Sequence, residues 1–338
     1  MLTPEYLLGL GKINPELEEI LKNNPIVEDL HDDTDIPALR ALAFEKKKAF
    51  NDERESSSLG PVSYVEEDRE IPARDGSSIP IRIHKPKSPP KDGCPIFVVY
   101  HGGGFVLGSL EGEVVMCRKF TELGGIAVNV NYRHAPENPF PTSCLDAYDA
   151  LEWTAANFQT LGGNPSKGFL VGGISAGGNI SAVVTHLYRD DKISPPLTGA
   201  YLSIPACIPP DSVPEKYKHV YLSREQNKDA PILNQRSMRF FENHYKPDYA
   251  SNLRDPMLFE SHKGLPPTYF QICGLDPLRD EAFIYEEILR EENGVKTLVD
   301  VYPGLPHSFW GRWPEEKFSE KREEDSIKAM KWLLEQSK

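Results

Sequence analysis

The 338-residue chain has no apolar run approaching the roughly 20 residues that a membrane-spanning helix needs. Basic residues are few, with 38 Lys and Arg against 51 Asp and Glu, for a formal charge of −13. Nucleic acid and anionic membrane surfaces both select a basic footprint, so this balance argues against either partner. There is no C-x-x-C pair. The five cysteines (Cys94, Cys117, Cys144, Cys207, Cys273) stand far apart and are odd in number. That usage suits reduced intracellular thiols better than a disulfide framework, and no Cys–His cluster has zinc-site spacing, so no metal is expected. Met1-Leu2-Thr3-Pro4-Glu5 puts an acid and a proline where a secretory signal would want a basic start and an apolar stretch. The expectation is a cytoplasmic protein.

What is present is length enough for one large domain and a 39% hydrophobic share, ample for a core. Residues 1–55 read as amphipathic helical patches, two of them opening on Pro15 and Pro37, positions that a first helical turn tolerates. A polar stretch from Asn51 to Ser58 reads as a linker. Two strands are expected over 63–71 and 79–83, joined at the Asp75-Gly76 turn. From Pro95 onward short apolar runs alternate with helical segments. Strands are expected at 96–100, 125–130, 169–171, 199–204, 268–273 and 297–302, with helices at 145–158, 178–188 and 319–336. Strand alternating with helix predicts a mostly parallel sheet covered on both faces. The segment 205–257 interrupts this rhythm and is far longer than an ordinary connection. Its aromatic-rich piece, Ser237 to Tyr245, favours a functional lid over a disordered loop.

Three places carry chemistry. Gly173-Ile174-Ser175-Ala176-Gly177 follows an apolar run and precedes a helical one, the layout of a nucleophile elbow, although an ordinary glycine-rich turn would also fit. His101-Gly102-Gly103-Gly104 follows another strand. Its glycines let main-chain N–H groups approach a ligand, and it has neither the lysine nor the spacing of a phosphate loop. The amides of Gly103 and Gly104, joined by Ala176, are candidates for an oxyanion hole. A serine hydroxyl needs a base, and the base needs an acid, in the chain order Ser, acid, His. Asp276 follows one late strand and His307 the next. An N-cap role suits Asp276 equally well, and Asp280 and Glu281 suit a first helical turn. His101 is read as orienting its loop, and His186 as a packing or surface residue.

With these motifs in place, the sequence resembles the hormone-sensitive lipase family of α/β hydrolases. Asn131-Tyr132-Arg133-His134-Ala135-Pro136-Glu137-Asn138-Pro139-Phe140-Pro141 also resembles that family's Y-R-x-A-P-E-x-x-F-P segment. The likeness runs from about residue 60 to the end. It implies an α/β-hydrolase fold, a mostly parallel eight-stranded sheet with helices on both faces and a helical cap. It divides the chain into an N-terminal part of the cap (1–55), core (56–204), cap insertion (205–257) and core (258–338). It further implies carboxylic-ester hydrolysis without metal or organic cofactor, with Ser175, Asp276 and His307 as the triad. Two departures stand out: Ile174 occupies a position where relatives often carry an acid or threonine, and the N-terminal part has no alignable motif. The related gibberellin receptors lack the catalytic histidine, whereas His307 is present here.

The expected activity is a serine esterase working through an acyl-enzyme on a small ester, with no nucleic-acid partner; a homodimer is one open assembly. Phe105, Ile174, Met238, Phe240, Phe241 and Tyr245 are the candidate pocket residues, giving an apolar cleft for acyl chains or aromatic alcohols. An acyltransferase, a biosynthetic cyclase or lyase on the same scaffold, and a non-catalytic small-molecule receptor are the alternatives.

Overall fold

The computed structural model describes residues 2–26, 30–31, 33–56 and 63–337. Among these, eight strands form one sheet: β1 (Tyr64–Pro72), β2 (Ser78–Pro86), β3 (Ile96–Tyr100), β4 (Ile126–Val130), β5 (Phe169–Ile174), β6 (Gly199–Ser203), β7 (Thr268–Leu275) and β8 (Thr297–Pro306). Their spatial order is β1-β2-β4-β3-β5-β6-β7-β8. The β1–β2 and β2–β4 pairs are antiparallel and every later pair is parallel. The Asp75-Gly76 turn joins the first two strands, with the Gly76 amide donating to Ala73 O and Gly76 at φ +86°. The expected α/β-hydrolase architecture is therefore present, and each predicted strand falls within a few residues of an observed one.

The helices are α1 (Pro4–Leu10), α2 (Pro15–Asn23), α3 (Ile36–Ser56), α4 (Val114–Glu122), α5 (Thr142–Ala156), α6 (Ala176–Asp190), α7 (Ser223–Gln226), α8 (Gln235–Tyr245), α9 (Arg279–Glu287), α10 (Phe309–Arg312) and α11 (Lys317–Glu335). Alternation along β3 explains how two layers use one strand. Ile96, Val98 and Tyr100 pack with α5 and α6 through Ala147, Leu151, Ile180 and Val183. Phe97 and Val99 turn to the other face and meet Met116, Phe120, Met330 and Leu333 of α4 and α11. Successive strand side chains point to opposite faces, so a strand buried on both sides reads as an unbroken apolar run. The sequence reading did not include α4, whose start has no side-chain cap.

The N-terminal residues do two jobs. Leu7 and Leu10 of α1 are buried with Phe270, Ile272 and Phe283, and Leu17 of α2 with Tyr302, Leu305 and Phe309, so both helices brace the β7–β8 side of the sheet. Helix α3 instead contacts the segments that follow β3 and β4. It runs to Ser56, so Asn51–Ser56 is helix rather than the expected linker, while residues 57–58 of that stretch lie outside the described residues. Its Arg40 donates from Nε to Val106 O at 2.8 Å and from Nη2 to Ala135 O at 2.5 Å, and it pairs with Glu137 at 2.8 Å. No helix of the described residues is long and apolar enough to cross a membrane.

Candidate active site

At the end of β5 the chain turns sharply. Ser175 has φ +57° and ψ −113°, a conformation that costs on the order of 1–3 kcal/mol for a residue with a side chain. Surroundings fix it. A Cβ on Gly173 or Gly177 would overlap the carbonyl of Tyr100 at the end of β3, so the strand and the helix start can meet only through glycine. The Ser175 amide donates to Ser203 O at 2.8 Å, and the Asn179 amide returns to Ser175 O at 3.0 Å, opening α6.

His307 lies just past β8 and reaches both partners. Its Nδ1 donates to Asp276 Oδ2 at 2.7 Å, and its Nε2 accepts from Ser175 Oγ at 2.8 Å. Asp276 is 1% exposed and His307 6%. The other oxygen of Asp276 accepts from the Leu278 amide at 2.8 Å, and Asn227 Nδ2 donates to the Asp276 carbonyl at 2.9 Å. The N-cap reading of Asp276 is not met, since α9 starts at Arg279 with Leu278 as its N-cap and no side-chain cap; the Leu278 bond instead closes the turn that holds the carboxylate towards His307. Asp280 faces away from His307. It pairs with Arg279 at 2.7 Å and accepts from the amides of Leu222 and Ser223, anchoring α7. Glu281 similarly accepts from the Ile208 amide at 2.9 Å and pairs with Arg224, while burial raises its pKa.

The glycine loop after β3 sits opposite. Gly103 and Gly104 have φ of +122° and +59°, backbone that a side chain rarely adopts. Among the described residues neither amide is paired with an acceptor. The loop is held from behind by His101, which stacks on Tyr132 at 4.2 Å and donates from Nδ1 to Gly102 O at 2.9 Å. Its Nε2 is then free to accept from His134 Nε2 at 3.3 Å. Burial lowers His101 to about 4 and His134 to about 2, so both imidazoles are neutral in neutral water. His186 is a core residue, bonded to Ala182 O and His262.

Serine, histidine and the glycine loop share one cavity of about 350 Å³, within the usual range for a small-molecule site. Phe105, Ile174, Met238, Phe241 and Tyr245 line it, and the Tyr245 ring stacks on Phe105 at 3.9 Å. Phe240 does not line it. That side chain is 1% exposed and packed into the main core, because successive helix residues point about 100° apart and Phe241 takes the cavity-facing position. Residues that the sequence reading did not single out also line the cavity, among them Phe44 and Lys47 of α3, Leu233, Trp310, Arg224 and Arg254. Their places depend on tertiary packing and carry no local motif. Among the described residues no group of three His, Cys, Asp or Glu side chains is arranged to hold a metal.

A serine whose hydroxyl donates to a buried imidazole, itself fixed by a carboxylate, is equipped for nucleophilic attack on a carbonyl. Residues 97–311 match the family model described as the alpha/beta hydrolase fold. A versiconal hemiacetal acetate esterase of Dothistroma septosporum is 35% identical over 84% of this chain and 87% of its own. An AB hydrolase superfamily protein of Schizosaccharomyces pombe is 38% identical over 96% of this chain and 94% of its own. The crystal structure of vibralactone cyclase superposes with a TM-score of 0.90 at 34% identity, covering 97% of both chains. The chain belongs to the α/β-hydrolase family that includes the hormone-sensitive-lipase-like esterases, and by class it is a carboxylic ester hydrolase.

Proposed function

We propose that the chain is a serine carboxylesterase acting on small carboxylic esters through an acyl-enzyme on Ser175. The observation that carries this reading is His307 bridging Ser175 and Asp276 at 2.8 and 2.7 Å. As Ser175 Oγ attacks the ester carbonyl, its proton passes to His307 Nε2, and Asp276 stabilises the imidazolium. The developing oxyanion is held by the amides of Gly103, Gly104 and Ala176, each donor worth about 2.7–4 kcal/mol of barrier. His307 then gives the proton to the departing alcohol oxygen, leaving Ser175 acylated. Water attacks the acyl carbon, its proton moves to His307, and release of the acid restores the serine.

Helix α3 and the insertion 205–257 act as a cap over this centre, a role supported by the lining contributed by α3 and α8, whereas α1 and α2 of the N-terminal part brace the sheet. A cytosolic setting is supported by five cysteines that are all buried and unpaired. The test is turnover of a p-nitrophenyl ester chain-length series by wild type and Ser175→Ala. The expected result is turnover by wild type, near-complete loss in Ser175→Ala, and fluorophosphonate labelling of Ser175 alone. Wild-type rates in the variant would refute the reading.

The superposition on vibralactone cyclase favours one second reading, a cyclase. An internal hydroxyl of the acyl group, rather than water, would attack the same acyl-serine and close a lactone. Indifference to generic esters combined with fluorophosphonate labelling would mark that outcome.

A further inference from the structure

The cavity beside Ser175 is not apolar all round. Arg224, Arg254, Tyr249 and Glu242 form part of its wall. Two of these charges are answered within the protein: Arg224 pairs with Glu281 at 2.9 Å, and Glu242 accepts from the Tyr249 hydroxyl at 2.8 Å. Arg254 is different. It is only 6% exposed, yet among the described residues no carboxylate lies within ion-pair distance of it. Asp255 and Glu281 feel its charge only from further away. Its Nη1 donates to Ala206 O at 3.2 Å, while its Nε is buried without an acceptor. The Nε of Arg224 is likewise buried and unanswered.

The position of Arg254 is fixed relative to the nucleophile. Asn179, one turn into the helix that Ser175 heads, donates from Nδ2 to Arg254 O at 2.9 Å and to Ala206 O at 2.7 Å. The guanidinium lies 5.7 Å from the Phe105 ring and 5.4 Å from that of Tyr249, aromatic surfaces that hold its plane. A guanidinium stays charged in proteins and offers five donors in a rigid fork. Burying one with donors unanswered is unfavourable unless a ligand supplies the acceptors. The fork matches the two oxygens of a carboxylate.

We propose that Arg254, with Arg224 on the same wall, receives a carboxylate of the substrate, so that the preferred esters are half-esters carrying a free acid away from the scissile bond. The inference rests on the esterase reading and adds the substrate class to it. Phe105, Tyr245 and Met238 would pack the carbon chain between the two ends.

The test compares mono-p-nitrophenyl esters of glutaric, adipic and pimelic acid with the same esters whose free acid is replaced by a primary amide. With wild type, the acid is expected to exceed its amide in kcat/KM by about tenfold or more at one or more chain lengths, the scale of one hydrogen bond to a charged group. In Arg254→Met that ratio should fall towards one, and Arg254→Lys should restore part of it. If Arg254→Met does not fold, wild type alone decides, with adipate expected to inhibit hexanoate-ester turnover more strongly than adipamide does. Acids no better than amides at every length, or an unchanged preference in folded Arg254→Met, would overturn the proposal while leaving the esterase reading intact. No turnover of either series together with no fluorophosphonate labelling would remove the esterase reading and this inference with it.

Discussion

The ring of Phe241 fills the place where a side chain on Gly104 would begin: a Cβ built there would overlap Phe241 Cγ and Cδ1. Gly104 also has φ +59°, so two separate constraints, a ring and a backbone angle, require glycine at this point of the loop. Gly104→Ala is therefore expected to shift the loop and misdirect an oxyanion donor, lowering kcat roughly 10²- to 10³-fold on a neutral ester. The double variant Gly104→Ala/Phe241→Ala should recover part of that loss, since the overlap is gone and only the backbone preference, about 1–2 kcal/mol, remains. Steady-state kinetics of the two variants checks both statements.

Asp276 accepts from His307 Nδ1 through one oxygen and from the Leu278 amide through the other. Asp276→Asn keeps the size and one acceptor but can present an NH₂ to Nδ1, which favours the tautomer whose Nε2 cannot take the serine proton. Turnover should fall roughly 10³- to 10⁴-fold with little change in thermal stability. Rates within tenfold of wild type at neutral pH would count against Asp276 as the orienting acid.

The chain order of Ser175, Asp276 and His307 was legible because sterics and chemistry leave few residue types for those places. Gly173 and Gly177 must be small where β5 and α6 touch Tyr100, and the strand ends before Asp276 and His307 show as apolar runs. The alternating segments announced a parallel sheet for the same reason. The places of Arg254 and His134 were not legible. Each has its place only through contacts with residues distant in sequence, Asn179 and Ala206 for one, His101 for the other. The choice between Phe240 and Phe241 was equally hidden, since an aromatic pair on a helix states that one faces inward without saying which way the helix is turned.

That pair can be separated by experiment. Phe240 is buried among core residues, so Phe240→Ala should cost about 3–5 kcal/mol of stability and lower the urea midpoint, with acyl-chain preference unchanged per folded molecule. Phe241 lines the cavity and is only partly buried. Phe241→Ala should therefore shift the optimum of the p-nitrophenyl series towards longer chains at a smaller loss of stability. The opposite pattern, a specificity change in Phe240→Ala and none in Phe241→Ala, would contradict the packing described.

The pH dependence of stability follows from the histidine pair behind the glycine loop. Burial lowers His101 to about 4 and His134 to about 2, and the neighbouring Arg40 guanidinium and the facing imidazole of His101 push His134 the same way. In the unfolded chain both titrate at about 6.5, the ordinary value of an imidazole. Below that pH the unfolded state binds protons that the folded state refuses, so stability falls as pH drops from about 6.5 towards 4. For His101 alone the loss is on the order of 3 kcal/mol across that window. His84, His186 and His262 are also lowered by burial and act in the same sense, so a variant is needed to isolate the pair. His134→Asn removes one member and leaves those three in place. It should be less stable than wild type at pH 7, because His101 Nε2 loses its donor, yet lose less on going to pH 4.5, by more than about 1 kcal/mol. Urea titrations of both proteins at the two pH values measure the difference directly, and parallel losses would show that His134 is not held neutral in the fold.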